Sequence, residues 1–454
     1  MYLTELVRRP EGKTLEFKRD LSSPAGLLRT VVAFANTAGG TILIGVADRT
    51  RDMLGVSDPL RMEERAAKLI RDSIEPRLLP DLEVLSYRDW QLLALRVHPS
   101  ASRPHFIKRS GRRGGTYVRV GSTNRQADVH LIAEMRRFSL GESFDEWPIP
   151  EANSEVLDFR QASESFAPVR RLRRPHLQAL RLLTRHQGRL VPTVGGMLLF
   201  GRDRLDRFPD AWIHASRFAG TDKATILDHE RLETHPVQAI EEAVAFVEKH
   251  SMRGAAIGRV RRWHHRSLPP AAVREAIVNA VVHADYSQRG APIRVAVFDD
   301  RLEVESPGLL PFGLTLDDLP LGVSKVRNRV LARVFQALGL VEQWGSGVQR
   351  MTAACRDEGL PAPVWEEIGF GVRVTLRTEV IRPSNIDPKD GTILALLEDG
   401  EGRGTRELAE AIGLSTRSTR TRLARLVKRG LVREVGTGPN DPRRVYIKPH
   451  GLPA

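Results

Sequence analysis

Cysteine is almost absent from the sequence. Cys355 is the only one in 454 residues, which excludes an intrachain disulfide and a thiolate metal cluster and suits a reducing compartment. Long apolar runs are missing too. None approaches the roughly 20 residues that a membrane-spanning helix needs, so no membrane partner is expected. The opening MYLTELVRRPEGKTLEFKRD lacks the apolar centre of a signal peptide, and the expected location is the cytoplasm. No segment has the form GxxxxGK[ST], so a P-loop translocation motor is not expected. No internal repeat is visible.

What is plentiful is positive charge. Lys and Arg number 70 against 56 Asp and Glu, a formal charge of +14, which favours a polyanionic partner, with DNA or RNA the leading candidate. Hydrophobic residues make up 41%, enough for ordinary cores, and a chain of this length holds about two to four domains. Two composition breaks mark linkers. Residues 142–175, ESFDEWPIPEANSEVLDFRQASESFAPVRRLRRP, are rich in Pro, Ser and acids before turning basic, with no sustained apolar period. Residues 379–387 are polar and carry Pro383. Three regions remain, 1–141, 176–378 and 388–454, the middle one long enough to be composite, with 176–262 and 263–378 as its expected parts.

In the first region Leu27, Val31, Phe34 and Ala35 recur at helical spacing, Gly39-Gly40 ends the helix, and Thr41 to Val46 continues as a buried strand. The segments EGKTLEFKRD, AFANTAGGTILIGVAD and YVRVGSTNRQA resemble, in order, the signatures of the Schlafen AlbA_2-type domain. That resemblance implies an α+β nucleic-acid-binding domain. From position 90 through 127 eight basic residues, Arg96, Arg103, Lys108, Arg109, Arg112, Arg113, Arg119 and Arg125, occur with no carboxylate, and Phe106 and Tyr117 are interleaved. Lys108, Arg109, Arg112, Arg113 and Arg119 are the nucleic-acid contacts expected there. The same resemblance, to the animal Schlafen nucleases, makes Glu11, Glu16 and Asp48 a candidate metal-binding nuclease trio. Structural or ion-pairing roles are the alternative for these carboxylates, and Asp52 and Asp58 compete with Asp48 for the third place.

The last region offers a helix through Leu397, a second at Thr405 to Ala411, a turn at Gly413, a third helix from Ser415 to Lys428, and two strand-like pieces around GTGPNDPRR. This order resembles a winged helix-turn-helix. Ser415 is the expected N-cap. Leu423, Leu426 and Val427 turn inward, leaving Arg417, Arg420 and Arg425 for solvent or DNA, with Arg443 and Arg444 in the basic wing.

The stretch REAIVNAVVHADY, residues 274–286, is apolar nearly all round. Glu275, Asn279 and His283 nevertheless fall at about 0°, 40° and 80° of one helical stripe. Buried polar groups cost free energy unless satisfied, so the stripe faces either a protein seam or a ligand. Pro269-Pro270 suits the helix start. After it come two alternating runs joined at Asp299-Asp300, the loop PGLLPFGL, the amphipathic SKVRNRVLARVFQALGL, a turn at Gly345, Ser346 and Gly347 opening a helix, and the strand GVRVTL. The series resembles the GHKL-type, RecG-related ATPase domain. TVGGMLLFGRD, with the strand and helix that come after it, resembles the region usually preceding that domain.

By that resemblance the cofactors are ATP and Mg²⁺. Glu275 positions an attacking water as general base, and Asn279 holds the metal. His283, Asp285, Pro307 and Gly308 lie near the nucleotide, and Gly345 to Gly347 border the phosphates. Ser306 replaces the usual Asn or Asp, which removes an acceptor for the adenine amino group. A homodimer or higher homo-oligomer is implied as well.

The expected fold class is α+β multidomain: a Schlafen AlbA-like N-terminal domain, a GHKL-like α/β sandwich in the middle and a C-terminal winged helix-turn-helix. The expected function is a nucleotide-responsive nucleic-acid-binding protein, a transcriptional regulator or a defence or repair factor. The competing readings are a Schlafen-like nuclease regulated by ATP and a binding-only regulator with a degenerate ATPase fold.

Overall fold

The computed structural model describes residues 6–7, 9–47, 52–87, 90–251, 268–341, 345–378, 387–398, 402–428, 431–435 and 444–448. Asp48 and Arg443 lie outside the described residues. The chain divides into two compact units, one formed by Met1–Ser139 with Arg382–Ala454 and the other by Leu140–Ile381.

In the N-terminal part, β1 (Leu15–Lys18) runs parallel to β2 (Gly40–Ile44) through the crossover helix α1 (Pro24–Asn36). Pro24 sets the first turn of α1, and Val31 and Phe34 on its inner face are fully buried. After α2 (Pro59–Ser73) come β3 (Asp81–Tyr87) and β4 (Trp90–Val97), giving the sheet order β1-β2-β4-β3. The apolar run in β2 has no polar alternation because both faces are covered. Ile42 and Ile44 join the core that holds α1, while Leu43 packs on the other side with Phe17 and Leu92. The hairpin β5 (Tyr117–Val120) and β6 (Thr123–Gln126), then α3 (Val129–Ser139), complete this part.

Residues 142–175 are not a linker. Ile149, Leu157, Ala162, Phe166 and Leu172 belong to the core of the second unit. Backbone N–H groups of Ile149 and Asp158 donate to Pro192 and Phe200 carbonyls at 2.8 and 2.6 Å. The segment threads the core through irregular backbone and the short helix α4 (Phe159–Phe166). Its apolar residues therefore follow no helical or strand period, which is why its composition resembles that of a spacer. The helix α5 (Arg174–Ala179), the hairpin β7 (Leu183–His186) and β8 (Arg189–Pro192), and α6 (Val194–Phe200) come next.

The centre of this unit is a six-stranded sheet. It is built from β9 (Ile213–Phe218), β10 (Ile226–Leu232), β11 (Ile293–Val297), β12 (Arg301–Pro307), β13 (Val364–Ile368) and β14 (Gly371–Arg377), in the order β10-β9-β11-β12-β14-β13. β9 pairs parallel with β11. That pairing joins the two expected parts of the middle region, 176–262 and 263–378, into one sheet. The helices α7 (Pro236–Ser251), α8 (Pro270–His283), α9 (Arg329–Ala337) and α10 (Gly347–Asp357) supply the apolar residues of its core. α8 contacts α7, α10 and β12. The amphipathic run expected to start at Ser324 becomes helical only at Arg329, because Asp145 caps it there. The Asp145 carboxylate accepts from the N–H groups of Arg329, Val330 and Leu331 at 3.0, 2.6 and 3.0 Å.

The C-terminal part places α11 (Pro388–Leu396), α12 (Thr405–Ile412) and α13 (Thr416–Lys428) ahead of β15 (Arg433–Val435) and β16 (Val445–Ile447). Gly413 closes α12 at φ 64°, and Ser415 Oγ accepts from Ser418 N–H at 3.3 Å. β16 is central in a three-stranded sheet between β15 and Arg403–Gly404. Among the described residues, no helix is long and apolar enough to cross a membrane.

Candidate nucleotide site and nucleic-acid surfaces

The polar stripe of α8 faces a cavity of about 270 Å³. Glu275, Asn279 and His283 line it, together with Ser306 and Gly308 from the end of β12 and Gly345 and Gly347 at the start of α10. Most of the remaining circumference of α8 is buried: Ala276, Ile277, Val281 and Val282 sit in the core. The stripe supplies the polar groups of α8 that meet the cavity, beside Ala276, Ala280 and Val282.

Each polar member has a defined position. Glu275 lies 3.0 Å from the guanidinium of Arg350, and Asn279 Nδ2 donates to Glu275 Oε1 at 3.1 Å. A side chain on Gly347 would collide with the Glu275 carboxylate. Glycine at that place lets an acidic group approach the amino end of α10, where helix amides favour anions. His283 is half-buried in the cavity wall, its buried Nδ1 has no hydrogen-bond partner, and burial with Arg327 beside it lowers its pKa to about 4. Gly308, at φ 100°, faces Arg327 so closely that a Cβ would meet the guanidinium. Arg327 in turn donates to the His283 carbonyl at 2.6 Å.

Three cations that the sequence pattern does not single out also line the cavity: Lys325, Arg327 and Arg350. The signal is present in SKVRNR and VQR. It is hidden because SKVRNR is expected to be helical, whereas these residues form a loop before α9. Asn328 fixes that loop by donating to the Val282 and Ala284 carbonyls at 2.8 and 2.7 Å. Three cations facing one carboxylate make the cavity electropositive, suited to a polyphosphate.

Asp285, Pro307 and Ser346 stand differently from expectation, since none of them lines this cavity. Asp285 is buried and its carboxylate is engaged by Ser287 and Gln288, with Ser287 Oγ at 2.6 Å. It stabilises the turn after α8. The Pro307 carbonyl accepts from Asp285 N–H at 2.8 Å, holding the loop against that turn.

Of the carboxylate trio in the N-terminal part, Glu11 and Glu16 lie among the described residues and Asp48 lies outside them. Glu11 accepts from Phe17 N–H at 2.8 Å. Glu16 is buried between Arg119 and Lys18, with Arg119 Nη2 at 2.6 Å. Burial alone would raise its pKa, and the two cations outweigh that and hold it below the usual carboxylate value. No described group of three His, Cys, Asp or Glu side chains is placed to hold a metal.

Arg119 is therefore corrected from a nucleic-acid contact to an interior strut. It is 1% exposed, and it also donates to the Gly12 carbonyl and to Asn124 Oδ1 at 3.0 and 2.9 Å. Arg103 is likewise buried and donates to the Ala35 and Thr37 carbonyls. Phe106 is buried beneath Arg112. Asn36, within the AFANTAGG motif, ties α1 to the chain at His105 and Tyr117 through three hydrogen bonds. Lys108, Arg109, Arg112 and Arg113 remain exposed on a 3₁₀ turn and short helix between residues 108 and 115.

In the C-terminal part Arg417 and Arg420 are exposed on α13. Arg425 is instead paired with the buried Asp390 at 2.6 Å. Arg444 pairs with Glu434 at 2.8 Å and keeps only 14% of its side chain exposed. Arg444 is therefore corrected from the set left for nucleic acid, while Arg425 keeps 54% of its side chain exposed beside its ion pair.

Three family models match the chain. One described as Schlafen, AlbA_2 matches residues 11–128, one described as putative ATP-dependent DNA helicase recG C-terminal matches 290–376, and one described as winged helix-turn-helix DNA-binding matches 386–433. The helicase-related match begins beyond α8, so Glu275, Asn279 and His283 lie outside it.

Among solved structures, the crystal structure of the DIP2311 protein from Corynebacterium diphtheriae is 21% identical, covering 96% of this chain and 80% of that one, with a TM-score of 0.42. The solution structure of the N-terminal domain of a putative ATP-dependent DNA helicase RecG-related protein from Nitrosomonas europaea is 27% identical. It covers 28% of this chain and 91% of that one, with a TM-score of 0.23. No curated protein matches the chain. The chain is an α+β multidomain protein in which a Schlafen AlbA_2 domain, a RecG-related ATPase-like domain and a winged helix-turn-helix DNA-binding domain succeed one another in that order.

Proposed function

We propose that the protein binds nucleic acid under the control of a nucleotide, acting as a regulator of transcription or a factor in defence or repair. One observation carries the nucleotide half. A cavity lined by Lys325, Arg327 and Arg350 meets His283, whose buried Nδ1 lacks a partner, beside the amino end of α10. A buried polar atom without a partner is unfavourable, and a polyphosphate with a polar base satisfies both the imidazole and the cations. The residues present thus fit ATP. Asn279, with its side-chain oxygen, would contribute to holding Mg²⁺, which needs few protein ligands when phosphates supply the rest. Bound there, the nucleotide supplies a triphosphate whose charge can be read by the loop at 324–328 and by α10.

Glu275 is held by Arg350 and Asn279, so hydrolysis is slow or absent and binding itself is the signal. The ion pairs of Glu16 weigh against the metal-dependent nuclease reading. Arg417 and Arg420 on α13, with Lys108, Arg109, Arg112 and Arg113, supply the nucleic-acid contacts.

The test is duplex binding by the full chain with and without Mg²⁺-ATP, alongside sequencing of co-purified nucleic acid. The expected outcome is a change in Kd of about fivefold or more, the usual floor for coupled sites. Identical Kd values in both conditions would contradict nucleotide control.

A further inference from the structure

From Ser165 to Arg202 the sequence has no carboxylate, while Arg170, Arg171, Arg173, Arg174, Arg181, Arg185 and Arg189 fall within it. All seven are exposed. They lie outside each of the three family matches, which cover 11–128, 290–376 and 386–433. The chain here folds tightly. α5 turns directly into β7, with Leu182 N–H donating to the Leu177 carbonyl at 2.8 Å, and β7 pairs with β8 from His186 opposite Arg189 to Leu183 opposite Pro192. Arg181 occupies the turn at φ 59°, a left-handed conformation in which glycine would be less strained.

The contrast with other arginines of the same unit is clear. Arg160, Arg207, Arg329 and Arg350 pair with Glu164, Glu151, Glu146 and Glu275 at 2.8, 2.6, 3.4 and 3.0 Å. None of the seven forms an ion pair among the described residues. Solubility alone calls for interspersed signs, so a carboxylate-free stretch of exposed arginines without ion pairs points outward to an anionic partner.

We infer that this surface is a further nucleic-acid contact, on the ATPase-like unit, that grips the phosphate backbone of a duplex without reading its sequence. Every cation in it is arginine, whose planar fork matches phosphate oxygens in pairs. The two aromatic residues of the stretch, Phe166 and Phe200, are buried, so no ring is offered for stacking on unpaired bases. Backbone contact to a duplex is what remains. The surface goes beyond the nucleotide site and does not depend on it.

The experiment is a salt titration of duplex affinity by fluorescence anisotropy, on the full chain without nucleotide. It compares wild type with a variant carrying Arg171→Gln, Arg174→Gln, Arg185→Gln and Arg189→Gln. With about 0.9 of slope per phosphate contact, the slope of log affinity against log salt should fall by about 3 to 4, and equally for unrelated duplex sequences. Lysine at the same four positions should restore most of the slope. Arg417→Ala with Arg420→Ala should lower the slope independently, so failure of the winged-helix contacts is distinguishable. An unchanged slope in the glutamine variant would overturn the inference. So would arginine-dependent binding to phosphatidylserine vesicles with duplex binding unaltered, which would make the partner a membrane surface.

Discussion

The carboxylate of Glu275 sits 3.0 Å from the guanidinium of Arg350, across the start of α10 where Gly347 leaves room for it. The pair fixes the one acidic group in a cavity whose other charged lining residues are Lys325, Arg327 and Arg350. The Arg350 side chain is 41% exposed, so its removal should cost at most about 1 kcal/mol of stability. Arg350→Ala should therefore fold normally and weaken nucleotide binding through loss of a cation. Binding unaltered from wild type in calorimetry would place the phosphates elsewhere.

His283 makes stability depend on pH. Its folded-state pKa is about 4 against the usual 6.5, so between these values the unfolded chain binds a proton that the folded chain refuses. The contribution is neutral above pH 6.5 and becomes a loss as pH falls toward 4, of about 3 kcal/mol in full. Denaturant melts of wild type and His283→Gln between pH 7 and pH 4.5 should diverge, with the variant keeping more of its stability. Parallel curves would show that the imidazole is protonated in the folded state.

Glu16 tests the carboxylate trio. Breaking a buried ion pair from one side leaves an uncompensated charge, so Arg119→Ala should destabilise the N-terminal part by about 3–5 kcal/mol. Because the folded pKa of Glu16 is depressed, the pair contributes above the ordinary carboxylate value of 4.5 and is lost as pH falls below it. Mn²⁺ or Mg²⁺ should not raise the melting temperature, and neither RNA nor single-stranded DNA should be cut. Robust cleavage that Glu16→Gln abolishes, with the domain still folded, would restore the nuclease reading.

These residues also show how far the sequence could be read. The helix carrying Glu275, Asn279 and His283 was legible because three polar groups interrupt an otherwise apolar circumference. The strands on either side of Asp299-Asp300 were legible from their alternation. Glu16 and Arg119 were visible as charges, but their mutual burial was not: they are distant in sequence and no local period links them. Arg327 escaped because the helix that its pattern suggests starts two residues later, at Arg329. That start is set by a carboxylate from a stretch whose composition reads as a spacer.

Asp145 is that carboxylate, and it satisfies three backbone amides of α9. Asp145→Ala would orphan them together, at a cost of about 2–4 kcal/mol. The loop at 324–328 should loosen with it, so thermal melting should show a lower midpoint and nucleotide affinity should weaken in parallel. Full stability in Asp145→Ala would mean that the segment from 142 to 175 is not integral to this unit.

Calorimetric titration of the full chain with Mg²⁺-ATP tests the central claim most directly, using wild type, Asn279→Ala and Glu275→Ala. Wild type should bind, Asn279→Ala should not, and Glu275→Ala should keep its affinity while losing any residual hydrolysis, since a water-positioning group acts on the chemical step and not on ground-state binding. If the polar stripe is only a seam, both substitutions should instead cost about 1–3 kcal/mol of stability by orphaning buried partners. Nucleotide would then shift no melting temperature. Absence of heat and of any melting shift for wild type at millimolar Mg²⁺-ATP would contradict the nucleotide site.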